Sequence, residues 1–272
     1  MEPSAARGCN HKNMRYLATI RFDGTAYHGW QIQPNGMSIQ EKVQQCLSLL
    51  LRQPVEVVGA GRTDAGVHAR ELPCHFDYPQ ASPASEEGQG SASCEEEALD
   101  TAQLCYRLNR VLPADISCTR ISRVADDLHA RFSARRRTYR YFIHTEKDPF
   151  ERHFSVETHW TLDFDLMNEG AQWLTTVKDF RAFCKAGADV KTTLCEVYAA
   201  RWVQTGDHDY YFEIAANRFL RNMVRATVGT LMELGRHRIT LEQLKDIVLR
   251  GSRSDAGESM PAKGLFLWSV EY

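Results

Sequence analysis

A chain of 272 residues with 43% hydrophobic side chains has material for one large domain or two smaller ones around a buried core. Its net charge of −2 argues at first against a polyanionic partner, yet residues 77–100 carry seven acids (Asp77, Glu86, Glu87, Glu95, Glu96, Glu97, Asp100) and no Lys or Arg, so the chain without them stands at +5. The eight cysteines show no C-x-x-C spacing, the N-terminus has no apolar leader core, and no run approaches a membrane span, which points to a reducing, cytoplasmic setting without membrane contact.

Residues 1–13 are polar and aperiodic and read as a flexible tail. From Arg15 to Asp23 apolar residues alternate (Tyr16, Ala18, Ile20, Phe22), the pattern of a half-buried strand. After a glycine-punctuated loop, Ser38 and Glu41 predict a capping box for a helix with Ile39, Val43, Cys46, Leu47 and Leu50 on its apolar stripe. Val55–Val58 and Leu72–Phe76 read as strands on either side of a loop, Gly59 to Arg70, that holds three glycines. Residues 79–95 are low-complexity and acidic, the composition of a mobile insertion. A helix is expected from about Glu96 to Val111, with Leu99, Ala102, Leu108 and Val111 inward and Pro113 as its stop.

Ile116–Val124 is read as the start of a second unit. A long strand is expected over Phe132–Ile143, a helix over Phe164–Val177, and strands over Leu194–Val203 and Tyr210–Ala216. Helices follow at Phe219–Leu234 and Leu241–Arg250, the latter with a Thr240/Gln243 capping box, and Leu265–Tyr272 closes the chain as a strand. The succession predicts an α+β protein: two similar α/β subdomains, residues 14–112 and 113–272, with mostly antiparallel sheets.

The glycine loop carries one carboxylate, Asp64, between Arg62 and His68. A carboxylate near fixed cations suits a nucleophile or electrostatic stabiliser, and an Asx-turn is its structural alternative. Arg131, Arg135, Arg136, Arg137 and Arg140 put five cations within ten residues, a pattern for gripping phosphates along a strand edge or for a solvated charge run. Arg218, Arg221 and Arg225 are spaced to share one side of the helix predicted there, as an RNA-facing or a solvated basic face. Alternation puts Tyr139 and Tyr141 on one strand face and Arg140 on the other. The ten histidines form neither H-E-x-x-H nor Cys/His pairs, so no metal is expected, and without a nucleotide-binding fingerprint no cofactor is either.

Arg62-Thr63-Asp64-Ala65-Gly66-Val67-His68-Ala69 resembles the catalytic-loop signature of the tRNA pseudouridine synthase A family. Further pieces of that pattern follow in order: Phe22 to Gln31, Leu128 to Ala134, Tyr139-Arg140-Tyr141, Phe219 to Arg225, and Pro261 to Leu265. The resemblance runs from about Tyr16 to Tyr272.

It implies a pseudouridine synthase fold whose two sheets meet at a central catalytic cleft. It also implies a homodimer, and an isomerase that converts uridine to pseudouridine in the anticodon arm of tRNA. By the same resemblance Asp64 is the nucleophile, Arg225 pairs with it, Tyr139 stacks on the flipped uracil, and Arg62 helps extrude that base. Arg62 has a second reading as a local partner of Asp64. Arg135, Arg136, Arg137 and Arg221 are weaker candidates for the RNA backbone. A non-catalytic RNA-binding protein on the same fold is the alternative, and it has no need of Asp64 together with Arg225. The long acidic segment, the tail before Met14 and Lys263, where the family more often has His, depart from the pattern.

Overall fold

The computed structural model describes residues 13–79, 99–185, 187 and 190–272. The tail before residue 13 and nearly all of the acidic insertion therefore lie outside the described residues. The N-terminal elements are β1 (Asn13–Phe22), α1 (Ile39–Leu51), β2 (Val58–Gly59), β3 (His68–Pro79), α2 (Thr101–Val111) and β4 (Ile116–Arg123). The C-terminal elements are β5 (Arg136–His144), β6 (Val156–Glu157), α3 (Phe164–Leu174), β7 (Val197–Gln204), β8 (Asp209–Ala216), α4 (Met223–Gly235), α5 (Leu241–Arg250) and β9 (Leu265–Glu271). The fold is α+β, and its strands form a single open sheet.

That sheet runs in the order β4-β1-β3-β9-β5-β8-β7, with β2 paired to β3 and β6 to β5. All its pairings are antiparallel except β3 with β9 and β5 with β6. The last strand is the joint between the halves. β9 meets β3 through His68↔Phe266 and Ala69↔Leu267, and meets β5 from Arg136↔Glu271 to Tyr141↔Leu265. Buried apolar residues from β1 to β9 form one continuous core beneath this joint.

Several local expectations are corrected. The strand expected over Val55–Val58 is only Val58–Gly59, because α1 takes its backbone groups. Gln44 accepts from Val57 N (3.0 Å), Gln40 Nε2 donates to Val57 O (2.7 Å), and Ser48 accepts from Val55 N (2.9 Å). Ser38 Oγ accepts from Glu41 N (3.2 Å) as the helix cap, but the Glu41 carboxylate binds Gln45 Nε2 (3.3 Å) one turn on. On α2 the inward residues are Leu104 and Leu108, while Ala102 and Val111 face solvent. The strand expected to open a second unit, β4, pairs with β1 and belongs to the N-terminal end of the sheet.

α4 begins at Met223 rather than Phe219, since Asn222 takes φ 68°, outside helical geometry. Arg218 and Arg221 therefore precede the helix, and only Arg225 projects from its first turn. The helix is buried almost all round, with Thr227 and Thr230 hydroxyls returned to Met223 O and Ala226 O at 2.9 Å each. Gly229 is required there: a Cβ would sit 1.8 Å from Glu258 O. This close approach seats the segment ahead of β9 against α4. The capping box of α5 forms as expected, with Thr240 and Gln243 in reciprocal bonds.

Candidate active site

The turn between β2 and β3 carries Asp64, and the β1–α1 connection braces it. Trp30 N donates to Thr63 O (3.3 Å), Gly66 N to Tyr27 O (3.3 Å), and Val67 N to Asp64 O (3.2 Å). Gly29 permits this brace, with φ +90° and a position where a Cβ would lie 2.3 Å from Thr63 O. An L side chain meets both the backbone strain and the clash.

His68, expected as a cation flanking Asp64, has a different task. It is wholly buried at the start of β3 and stacks on Phe266 with ring centroids 4.6 Å apart. Its Nδ1 lies 3.0 Å from Gly24 N and 3.1 Å from the Asp23 carboxylate, and its Nε2 lies 3.1 Å from Lys263 O. Burial pushes its pKa down, against the opposing pull of Asp23, so at neutral pH it is an uncharged tie across the joint.

The cations facing Asp64 come from the C-terminal half. Arg221 Nε lies 3.7 Å from Oδ1 and Arg225 Nη1 3.8 Å from Oδ2, so each carboxylate oxygen faces its own guanidinium. These are ion-pair distances rather than hydrogen bonds, and the carboxylate keeps 30% of its exposure. Arg225 is itself held: its Nε donates to Met260 O (2.6 Å), while Met260 N donates to Arg225 O (3.2 Å). Asn222 Nδ2 and Arg253 Nη2 both reach Ser259 Oγ at 2.6 Å and fix the segment that carries Met260. Arg225 is 21% exposed and held by Met260, while Arg221 is 61% exposed.

Tyr139 stands on β5 within electrostatic reach of Asp64. It is 9% exposed and packs edge-on against Phe219, with centroids 4.9 Å apart. Burial pushes its hydroxyl up to about 12; Arg137 opposes this and the charge of Asp64 adds to it. At neutral pH it is an un-ionised phenol. Tyr141, on the same face, is core and donates to Pro261 O (2.8 Å). Arg62 is exposed and forms no ion pair with Asp64, so its reading as a local partner of that carboxylate falls.

The arginine run divides. Arg137 is drawn inward and all five of its N–H groups go to backbone carbonyls: Ala60 O (3.4 and 3.1 Å), Ala134 O (3.3 Å), Asn217 O (2.7 Å) and Arg131 O (2.6 Å). It has no donor left for a phosphate, which corrects its reading as part of an RNA grip. Arg140 is likewise engaged, with Glu213 (2.8 Å) and between the rings of Tyr211 and Trp268 at 4.4 and 4.1 Å. Arg136 lies 3.7 Å from the Glu271 carboxylate and over Tyr198. Arg135 is exposed, and its backbone N–H donates to Glu271 O (2.8 Å). The sequence reading missed Met260, Ser259 and Phe219 as the supports of Arg225 and Tyr139. None of these residue types signals such a role in a linear pattern.

Sequence comparisons bear on this arrangement. Residues 172–272 match the profile of the family described as tRNA pseudouridine synthase. A tRNA pseudouridine synthase A of Bacteroides fragilis is 47% identical over 258 residues, covering 95% of this chain and 96% of the relative. The protein of the same name from Bacteroides thetaiotaomicron is 46% identical over 260 residues, covering 95% and 90%. That of Bacillus subtilis is 35% identical over 263 residues, covering 95% and 99%. With identity at this level along nearly its whole length, the chain belongs to the tRNA pseudouridine synthase A family, a family of isomerases.

Proposed function

We propose that this chain isomerises uridine to pseudouridine in the anticodon arm of tRNA, with Asp64 as the nucleophile, acting as a cytoplasmic homodimer without a cofactor. The observation that carries the reading is the meeting of Asp64, from the N-terminal half, with Arg221 and Arg225 from the C-terminal half. A protein that only bound RNA would have no use for a carboxylate braced at the mouth of a cationic site. The substrate class follows from relatives named tRNA pseudouridine synthase A. Among the described residues, no helix is long and apolar enough to cross a membrane.

The reaction breaks the bond from C1′ to N1 of the uracil and forms one from C1′ to C5. The proton on C5 is lost and N1 gains one, so nothing is oxidised or reduced. Asp64 serves by adding to the sugar, by adding to the base, or by taking a sugar proton on a glycal route, and each of these needs an ionised carboxylate held beside the nucleotide. Arg225, fixed by Met260 O, holds it there. Tyr139, an un-ionised phenol packed against Phe219, stacks on the detached base once that base enters the site. Arg62, exposed on the Asp64 loop, fills the gap the base leaves.

Base-resolved pseudouridine mapping on an unmodified tRNA transcript, before and after incubation with the purified chain, tests this. New pseudouridine confined to the anticodon arm is expected. Modification elsewhere, or none, overturns the reading.

A further inference from the structure

The strand expected from Phe132 begins only at Arg136, and the segment Leu128–Ala134 ahead of it is a tight turn. His129 N donates to Ser133 Oγ and Ser133 N to His129 O, at 2.9 and 2.8 Å, while Arg131 N and Phe132 N both donate to His129 Nδ1 at 3.2 and 3.3 Å. Three other elements hold this turn from outside. Ala130 N donates to His75 Nδ1 of β3 (3.1 Å), Tyr272 Oη donates to Ala130 O (2.9 Å), and Arg137 Nη2 donates to Arg131 O (2.6 Å).

All this bonding supports a side chain that touches little. Phe132 is 76% exposed; the His129 ring backs it at 4.3 Å and the Arg131 guanidinium lies 5.7 Å from its centre. A single exposed phenylalanine is ordinary. One held on a turn that is bonded internally and to β3, β5 and Tyr272, beside Arg131 and the exposed Arg135, is a fixed aromatic in a cationic setting. Its location is also defined. The Arg137 guanidinium that holds Arg131 O holds Ala60 O as well, two residues before Arg62, so the turn is fixed to the base of the Asp64 loop.

We infer that Phe132 is a stacking platform for an unpaired base of the tRNA next to the target uridine, with Arg131 and Arg135 directed at the adjoining phosphates. Any base presents a π-face, so the platform binds without reading sequence and suits loops that differ between tRNAs. The inference rests on the proposed activity for its choice of ligand. The flanking cations favour a polyanion over a second copy of this chain, whose contact at Phe132 would need an apolar rim.

The test measures tRNA dissociation constants, at one salt concentration, for Phe132→Ala, Phe132→Leu and Phe132→Trp, with thermal unfolding and sedimentation on each. Loss of one stacked base is expected to weaken binding by about 5- to 150-fold in the Ala and Leu proteins, while Trp stays close to wild type. Phe132→Ala should leave the salt dependence unchanged, and Arg131→Gln should flatten its slope by about one. Because the ring is exposed, unfolding temperatures should stay together. Wild-type affinity in Phe132→Ala overturns the inference, and so does a changed sedimentation coefficient, which would make Phe132 a contact between copies. A wild-type chain that binds tRNA but forms no pseudouridine would refute the proposed activity, while these binding constants would still decide the role of Phe132.

Discussion

Replacing Arg137 by methionine separates two roles that an arginine in this run can have. Its two shortest bonds, 2.6 Å to Arg131 O and 2.7 Å to Asn217 O, are charge-assisted and contribute about 1.5–3 kcal/mol each. Methionine loses both and leaves the carbonyl of Ala60 without its donor. Against this stands the cost of burying the guanidinium, seen in the lowering of its pKa by desolvation. A net loss of about 3 kcal/mol remains, a fall in Tm of roughly 6–12 °C for a domain of this size. Arg137→Lys keeps the charge but offers three donors from one nitrogen, so it should fall between the two. The assay pairs thermal unfolding by circular dichroism with a salt titration of tRNA binding. If Arg137 ties loops together, Tm drops and the salt slope holds. An unchanged Tm with a slope flattened by about one would show that it grips a phosphate, and the clamp would have to be abandoned.

Arg225→Gln should lower the single-turnover rate by about 100-fold, the scale of a misplaced catalytic group, and leave tRNA affinity and its salt slope intact; a flattened slope with normal turnover would assign Arg225 to the RNA. Gly29→Ala should cost about 3 kcal/mol or more, since it adds a clash with Thr63 O to a positive φ, and urea unfolding measures it. Burial pushes His75 down to about 4, with Arg15 and His129 adding to the effect. The unfolded chain, with its His near pH 6.5, then takes up the proton first, so stability should fall by up to about 3 kcal/mol as pH drops from 6.5 towards 4. His75→Asn keeps an acceptor for Ala130 N and should flatten the urea midpoint across that window; an equally steep midpoint would point to other groups.

What could be read from the residues was whatever repeats locally. The alternation of β1 and the caps at Ser38 and Thr240 placed those elements within a residue or two. The same period-two rule that put Tyr139 and Tyr141 on one face also puts Arg137 there, so its inward course was legible in principle and was obscured by counting it with its charged neighbours. α4 was drawn too long because Asn222, a residue type that takes left-handed φ more readily than most, was read as one more turn of the helix. The Val55–Val58 segment is apolar like a strand, but side chains from α1 claim its backbone, a tertiary event without a periodic trace. Asp64 and Arg225 were named from motifs in which they stand 161 residues apart. Their meeting depends on β9 inserting between β3 and β5, and spacing along a chain does not encode that.

The most direct measurement is single-turnover pseudouridine formation by Asp64→Asn protein on a tRNA that it still binds. The amide is nearly isosteric, and neither Arg221 nor Arg225 is within hydrogen-bond distance of the carboxylate, so the fold and the phosphate contacts should survive. Affinity close to wild type with no detectable product is the expected result. Product at the wild-type rate would mean that the carboxylate braced between the two halves is not the reacting group.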